Sequence, residues 1–201
     1  MTVKKHTGLR ERKHAALRKQ IVEAAVNLFL ERGFHGTLVD DIADAAGISR
    51  RTFFHYFSAK QDVIVDWFRQ QGEYLVTAFS ARPASEPIWN SLLAAFLEMR
   101  DFYGKYDQRV IDLQRLVHLE PVLLSKKYDF YVFAAQMLLP PVKARIEPSK
   151  QKSLVAHVLV QAAIGAYNAA NNEWAPKAGT KSFHALAKKA FVFAEPAISR
   201  S

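Results

Sequence analysis

Residues 37–60 read TLVDDIADAAGISRRTFFHYFSAK, and the fold follows from how this stretch is punctuated. Val39, Ile42, Ala43 and Ala46 recur at i, i+3, i+4 and i+7, the apolar stripe of a short helix. Thr37 is placed to cap that helix, and Asp40 and Asp41 sit in its first turn, where carboxylates favour the positive end of the dipole. Gly47 follows the last periodic residue and ends the helix, since it has no Cβ to oppose a left-handed backbone. Only Ile48 then precedes Ser49, an N-cap for the next helix, and Ile48 and Phe53 can close as a hydrophobic staple across the turn. Two helices held by so short and rigid a turn have the grammar of a helix-turn-helix, whose second helix enters the DNA major groove.

The second helix, residues 50–56, has two surfaces. Phe53 and Phe57 face inward, whereas Arg50, Arg51, Thr52, His55 and Tyr56 offer charge and hydrogen-bonding groups outward. Arginine can grip guanine with two hydrogen bonds, threonine can meet a thymine methyl, and the Tyr56 hydroxyl can reach a phosphate. Ser49, at the helix start, belongs to the same DNA-facing set. Ser58, Ala59, Lys60 and Gln61 read as an S-x-x-Q capping box, so a third helix is expected from residue 60 with the Lys60 ammonium directed at the DNA backbone.

The run GISRRTFFHYFSAK, preceded by TLVDDIADAA and, further upstream, by the ERGF of residues 31–34, resembles the N-terminal domain of the TetR family of transcriptional repressors. The likeness covers about the first third of the chain and keeps the family's landmarks in order. It implies that recognition falls to the helix carrying Arg50, Arg51, Thr52 and His55, while Thr37, Tyr56 and Lys60 match positions that hold phosphates. One departure is Phe54, which stands where many members carry tyrosine, so that hydroxyl contact is lost.

Composition agrees with a polyanionic partner. The 201 residues carry 28 Lys and Arg against 19 Asp and Glu, a formal charge of +9, which suits double-stranded DNA and, equally, an anionic membrane surface. The first twenty residues hold Lys4, Lys5, Arg10, Arg12, Lys13, Arg18 and Lys19 against the single acid Glu11. Residues 1–14 are therefore expected as a basic arm, too poor in apolar residues to fold alone, that lies along phosphates or enters the minor groove. A helix over residues 15–32 follows, burying Leu17, Ile21, Ala24, Ala25, Leu28 and Phe29 on one stripe. With no cysteine, disulfides and cysteine-bound zinc are excluded. The basic N-terminus lacks an apolar core and no run approaches eighteen uninterrupted apolar residues, so neither an export signal nor a membrane partner is expected and the protein reads as cytoplasmic.

Beyond residue 60 the pattern stays helical, and the whole chain is expected to be all-α with about nine helices. Further helices are placed at residues 60–80, 86–103, 107–119, 122–145, 150–172 and 182–194, with Pro140 and Pro141 expected to kink or split the fourth of these. The domains are then the arm 1–14, a DNA-binding domain 15–60 and an effector-binding and dimerisation domain 61–201. Leu154, Val155, Val158, Leu159 and the small residues from Ala162 to Ala170 make one wide apolar band, and Phe183, Leu186, Ala187, Ala190, Phe191 and Ala194 make another. Two such bands from each of two subunits would form a four-helix homodimer interface through residues 150–172 and 182–194, and pairing would double the grip of one short reading helix on a palindromic operator.

The intervening residues 86–137 are rich in aromatic side chains. The family resemblance implies a pocket here for a small apolar or amphipathic effector, and Trp89, Phe96, Arg100, Tyr103, Leu116, Tyr131 and Met137 are expected to line it. Two alternatives stand beside this ligand-released repressor: a DNA-binding regulator that is constitutive or controlled by a partner, and a helical enzyme. The enzyme is poorly supported. The seven histidines show no H-E-x-x-H spacing, no G-x-S-x-G is present, and the glycines never form a phosphate-cradling loop, so no catalytic residue, metal site or cofactor is expected.

Overall fold

The computed structural model describes residues 4–102, 108–177 and 182–198. Among them are nine α-helices and no strand: α1 (Lys4–Arg32), α2 (Val39–Ala45), α3 (Arg50–Tyr56), α4 (Asp62–Ser80), α5 (Ile88–Phe102), α6 (Gln108–Leu119), α7 (Pro121–Arg145), α8 (Lys152–Trp174) and α9 (Phe183–Ile198). The chain divides into two compact units, Met1–Trp67 and Phe68–Ser201, and the division falls inside α4.

In the first unit, the segment expected as an unfolded arm continues α1 back to Lys4. It is rich in Arg, Lys, Leu, Glu and Ala and has no proline, and each residue added to an existing helix gains one hydrogen bond without a new nucleus. Helix α1 buries Ile21, Val22, Ala25, Val26, Leu28 and Phe29, which pack with Ile42, Ala43 and Ala46 of α2, Phe53 and Phe57 of α3, and Val63 and Ile64 of α4. The turn after α1 rests on glycine. Gly33 adopts φ 75°, and a Cβ at Gly36 would run into the carbonyl oxygen of Arg32.

The turn between α2 and α3 closes as the sequence leads one to expect. Gly47 sits at φ 62°, Ile48 N–H donates to Ala43 O at 2.9 Å and Gly47 N–H to Asp44 O at 3.0 Å, the paired bonds of a Schellman stop. Ser49 Oγ accepts from Thr52 N–H at 3.1 Å and so caps α3. Two local expectations are corrected. The N-cap of α2 is Leu38, whose N–H donates to Asp41 Oδ2 at 2.8 Å, because Thr37 is turned into the core. The Ser58 capping box does not form: α4 starts at Asp62, and the preceding turns close by i to i+3 bonds, Asp62 N–H to Ala59 O and Val63 N–H to Lys60 O.

In the second unit, α8 and α9 pack along each other and α7 lies against α8. Helix α7 runs through Pro140 and Pro141 without being split, its course held on either side by the fully buried Leu138 and Val142. Gly72 on α4 lets the helix approach α7 closely, since a Cβ there would lie 3.2 Å from the Phe130 ring. The loop before α5 is clamped by Arg145, which donates to Ser91 Oγ at 3.0 Å and to Pro83 O at 3.0 Å, and also to Glu86 O. Helix α8 is long and apolar enough to cross a membrane, but 44% of its most apolar window is buried against the rest of the fold. A core helix gives the same signal.

Candidate DNA interface and effector site

The outward face of α3 contains most of the residues expected to meet DNA. Arg51 and His55 are exposed, while Thr52 and Tyr56 are half-buried. Thr52 Oγ1 lies 2.9 Å from Ser49 Oγ, so the cap and the first turn are locked together and Ser49 acts chiefly as a cap. Arg50 is exposed as well, but its Nη1 donates to both carboxylate oxygens of Asp40, at 3.0 and 2.9 Å, and its guanidinium lies 5.5 Å from the Phe54 ring. Phe54, which lacks the hydroxyl of the resembled pattern, thus serves as a platform for Arg50.

Behind this face, Arg18 of α1 positions the end of α3. Its Nη1 donates to Tyr56 O at 3.1 Å, its Nε lies 2.9 Å from the buried carboxylate of Asp66, and its guanidinium sits 4.4 Å above the Phe57 ring. Arg18 counts as arm charge by sequence, but in the fold it is a buried-side strut. His14 stacks on Tyr56 with ring centroids 4.4 Å apart, which fixes the tyrosine's ring from the α1 side.

Two expected phosphate contacts are engaged within the fold. Thr37 is completely buried, and its hydroxyl donates to Gly33 O at 2.9 Å and Leu28 O at 3.2 Å. It closes the end of α1 with its side chain turned into the fold. The Lys60 ammonium donates to Phe34 O and Thr37 O, both at 2.7 Å, and lies 4.3 Å from the Phe34 ring. Both carbonyls belong to the turn between α1 and α2, which Lys60 thereby ties to the segment that leads into α4.

The aromatic region of the second unit is largely solid. Trp89 Nε1 donates to Phe191 O at 3.3 Å and the two rings pack at 4.8 Å, while Phe96 stacks on Tyr167 at 4.6 Å. These two expected lining residues are core, as buried rings that find ring partners generally are. Leu116 and Met137 are half-buried and do not line the cavity described here. Tyr103 lies outside the described residues. Tyr131 does line a cavity, of about 300 Å³, together with Tyr128, Val132, Gln161, Ile164, Gly165 and Asn168.

Arg100 lies close to this region. It is 6% exposed, and its guanidinium is 4.2 Å from the Trp174 ring and 4.6 Å from the Phe183 ring. Burial lowers its pKa. Lys127, which the sequence analysis did not single out, is 4% exposed and its Nζ lies 5.6 Å from the Tyr131 ring. Its pKa falls to about 8, first through burial and then through the charge of Arg100. The signal was available: Leu123, Lys127, Phe130, Tyr131, Ala134 and Leu138 form the buried stripe of α7, so a lysine occupies an apolar helical position.

Comparison with known proteins agrees with this architecture. The family described as bacterial regulatory proteins, tetR family, matches residues 21–66, and the regulator TcmR of Streptomyces glaucescens is 36% identical over 125 residues. Over residues 21–66 the chain carries a TetR-family DNA-binding domain match. The TcmR match covers 59% of this chain and 55% of TcmR, and the regulator RutR of Escherichia coli is 39% identical over 66 residues, 33% of the chain and 31% of RutR. The chain thus spans about half, or less, of the curated relatives it matches. Both are named as transcriptional regulators rather than enzymes. Among solved structures, FadR of Thermus thermophilus, a TetR-family repressor in complex with lauroyl-CoA, shares the fold over 89% of this chain and 93% of its own, with a TM-score of 0.58 and 21% identity.

Proposed function

We propose that this chain is a TetR-family, sequence-specific transcriptional regulator of the cytoplasm, a homodimeric repressor that leaves a palindromic operator when a small apolar or amphipathic effector binds its C-terminal unit. The observation that carries the reading is the face of α3, where Arg50, Arg51, Thr52, His55 and Tyr56 stand on a helix fixed by the Gly47 stop, the Ser49 cap and the Arg18 strut. A reading head needs such rigidity, because base contacts discriminate only when their geometry is set in advance. The named relatives TcmR and RutR support regulation, and FadR, solved with lauroyl-CoA, supports an effector with an apolar body. Release requires only that the effector prefer the conformation with the lower operator affinity.

The test is a footprint of the purified protein on the DNA flanking its own gene, with random competitor present. A protected two-fold site that is lost on adding effector establishes the function. Protection no stronger than on random DNA removes it.

A further inference from the structure

A carboxylate stands on the reading face itself. Asp40, in the first turn of α2, is exposed and accepts from Arg50 Nη1 on both its oxygens, at 3.0 and 2.9 Å. The capping work at this end of α2 falls to its neighbour: Asp41 Oδ2 takes Leu38 N–H, and Asp41 Oδ1 lies 3.5 Å from Arg32 Nη1. The general preference of a helix start for an anion is thus already met without Asp40. An anion beside the reading arginine also repels the phosphates from which a basic protein draws its affinity. Asp40 therefore weakens binding to every sequence, and such a residue is accounted for when it helps to tell sequences apart.

The geometry of the pair supplies that role. Its two hydrogen bonds use one of the three guanidinium nitrogens, and among the described residues Arg50 Nε and Nη2 make none. Those two nitrogens present the parallel donors that fit guanine N7 and O6. The Phe54 ring, its centroid 5.5 Å from the guanidinium carbon, supports the group from one side. A phosphate competing for Nη1 must displace Asp40, which replaces one anion by another and leaves the carboxylate facing the backbone. That exchange is cheap and gains little. A guanine edge is neutral and takes the remaining donors while Asp40 keeps Nη1.

Resting on the DNA-binding reading above, we infer that Asp40 is a specificity-determining residue, which withdraws Arg50 from phosphate and presents its Nε and Nη2 donors to a guanine. Asp40 acts through Arg50 and is a positioning residue.

The experiment takes the full chain and two duplexes, one selected from a randomised library by the wild-type protein and a scrambled one of equal length, and reads affinity across a salt series. Asp40→Asn keeps the shape and removes the charge; Asp40→Ser is a second charge-free variant, and melting curves check that both fold. As Arg50 turns to phosphate, each is expected to bind scrambled DNA about fivefold tighter, with a salt slope steeper by about one. Affinity for the selected duplex should change by less than about twofold, so that preference falls. In an Arg50→Ala background the same substitutions should move both duplexes equally, since only the repulsion is removed. Replacing single guanines by 7-deazaguanine, which lacks the N7 acceptor, locates the base: at one position in each half-site the wild type loses affinity, Arg50→Ala is indifferent and Asp40→Asn loses less.

An equal gain on both duplexes with Arg50 present reduces Asp40 to a repelling charge and overturns the assignment. A larger gain on the selected duplex overturns it as well, because Arg50 then reads only after leaving Asp40. No change on either duplex has the same consequence. In all three cases the wild type still selects a sequence, and the DNA-binding reading stands. A wild type that selects none removes that reading and the assignment together.

Discussion

Arg50 and Arg51 are adjacent in sequence and alike in chemistry, yet the fold sets them to different tasks. Arg51 is exposed, whereas Arg50 is held by Asp40. An exposed ion pair is worth about 0–1 kcal/mol, so Arg50 can exchange Asp40 for DNA at small cost. Replacing Arg51 with alanine is therefore expected to cost about 1–3 kcal/mol at the cognate site and to relax sequence preference, read by anisotropy titration on cognate and random duplexes. Equal losses on both duplexes would show that Arg51 meets phosphate only. Thr37 and Lys60 belong to another category. Thr37→Val strands the carbonyls of Leu28 and Gly33 and should destabilise the fold by about 1–3 kcal/mol, while Lys60→Met should lower the denaturation midpoint with little change in the salt slope of DNA binding. A salt slope reduced by about one in Lys60→Met would return that lysine to the DNA backbone. The sequence made both residues look like DNA contacts because their side chains can serve either purpose. Which carbonyls lie within reach is decided by the path of the chain after Gly33, and no local pattern encodes that path.

At the scale of elements, legibility follows the range of the interactions. The α2 stop at Gly47 and the cap at Ser49 were readable because donors and acceptors lie within a few residues of each other. The start of α4 was not, since Lys60 just before it is tied to the carbonyls of Phe34 and Thr37, distant in sequence, and the N-terminal reach of α1 was not, since its basic composition outweighed its helix propensity in the reading. The α4–α5 connection is the clearest example. There Glu86 accepts from Arg82 Nη2 at 2.7 Å and Nε at 2.8 Å and from Ser91 Oγ at 2.7 Å, with Arg145 arriving from α7. These bonds, Arg82 first and Ser91 second, lower the Glu86 pKa from 4.5 to about 2. A carboxyl depressed by folding stabilises above its unfolded value and loses that contribution as pH falls through the folded one. The wild-type advantage over Glu86→Gln in thermal melts should thus be constant above pH 5 and shrink between about pH 4.5 and pH 2. A gap that is flat across this window would mean that Glu86 acts as a packing group and not as an anion.

For the whole molecule the unexplained surface is apolar. Leu154 and Val158 on α8 are 64% and 47% exposed, and Val192 and Phe193 on α9 are 60% and 78% exposed, while the rest of those helices supplies the core against which they pack. Leu154, Val158, Gln161 and Gly165 follow one another at helical spacing, and beyond Gly165 a Cβ would meet nothing within 4 Å, so another backbone could approach closely there. A two-fold axis through this surface would bring the same side chains together twice, as an isologous pair requires. Sequence analysis found both helices from their apolar bands, but it could not separate the residues that face inward, such as Val160 and Phe191, from those left outside. That division depends on how α8 and α9 pack, and it narrows the strip proposed for the dimer interface. The prediction is that Val158→Asp together with Phe193→Asp converts a dimer into a monomer by sedimentation while the melting temperature falls only slightly, and that cognate affinity drops far more than affinity for a single half-site. Gln161 and Gly165 also line the cavity, so the monomeric variant should bind a ligand of that cavity with altered affinity. Unchanged ligand affinity in a verified monomer would show that dimer formation and effector binding act independently, and that release from DNA must arise within each chain.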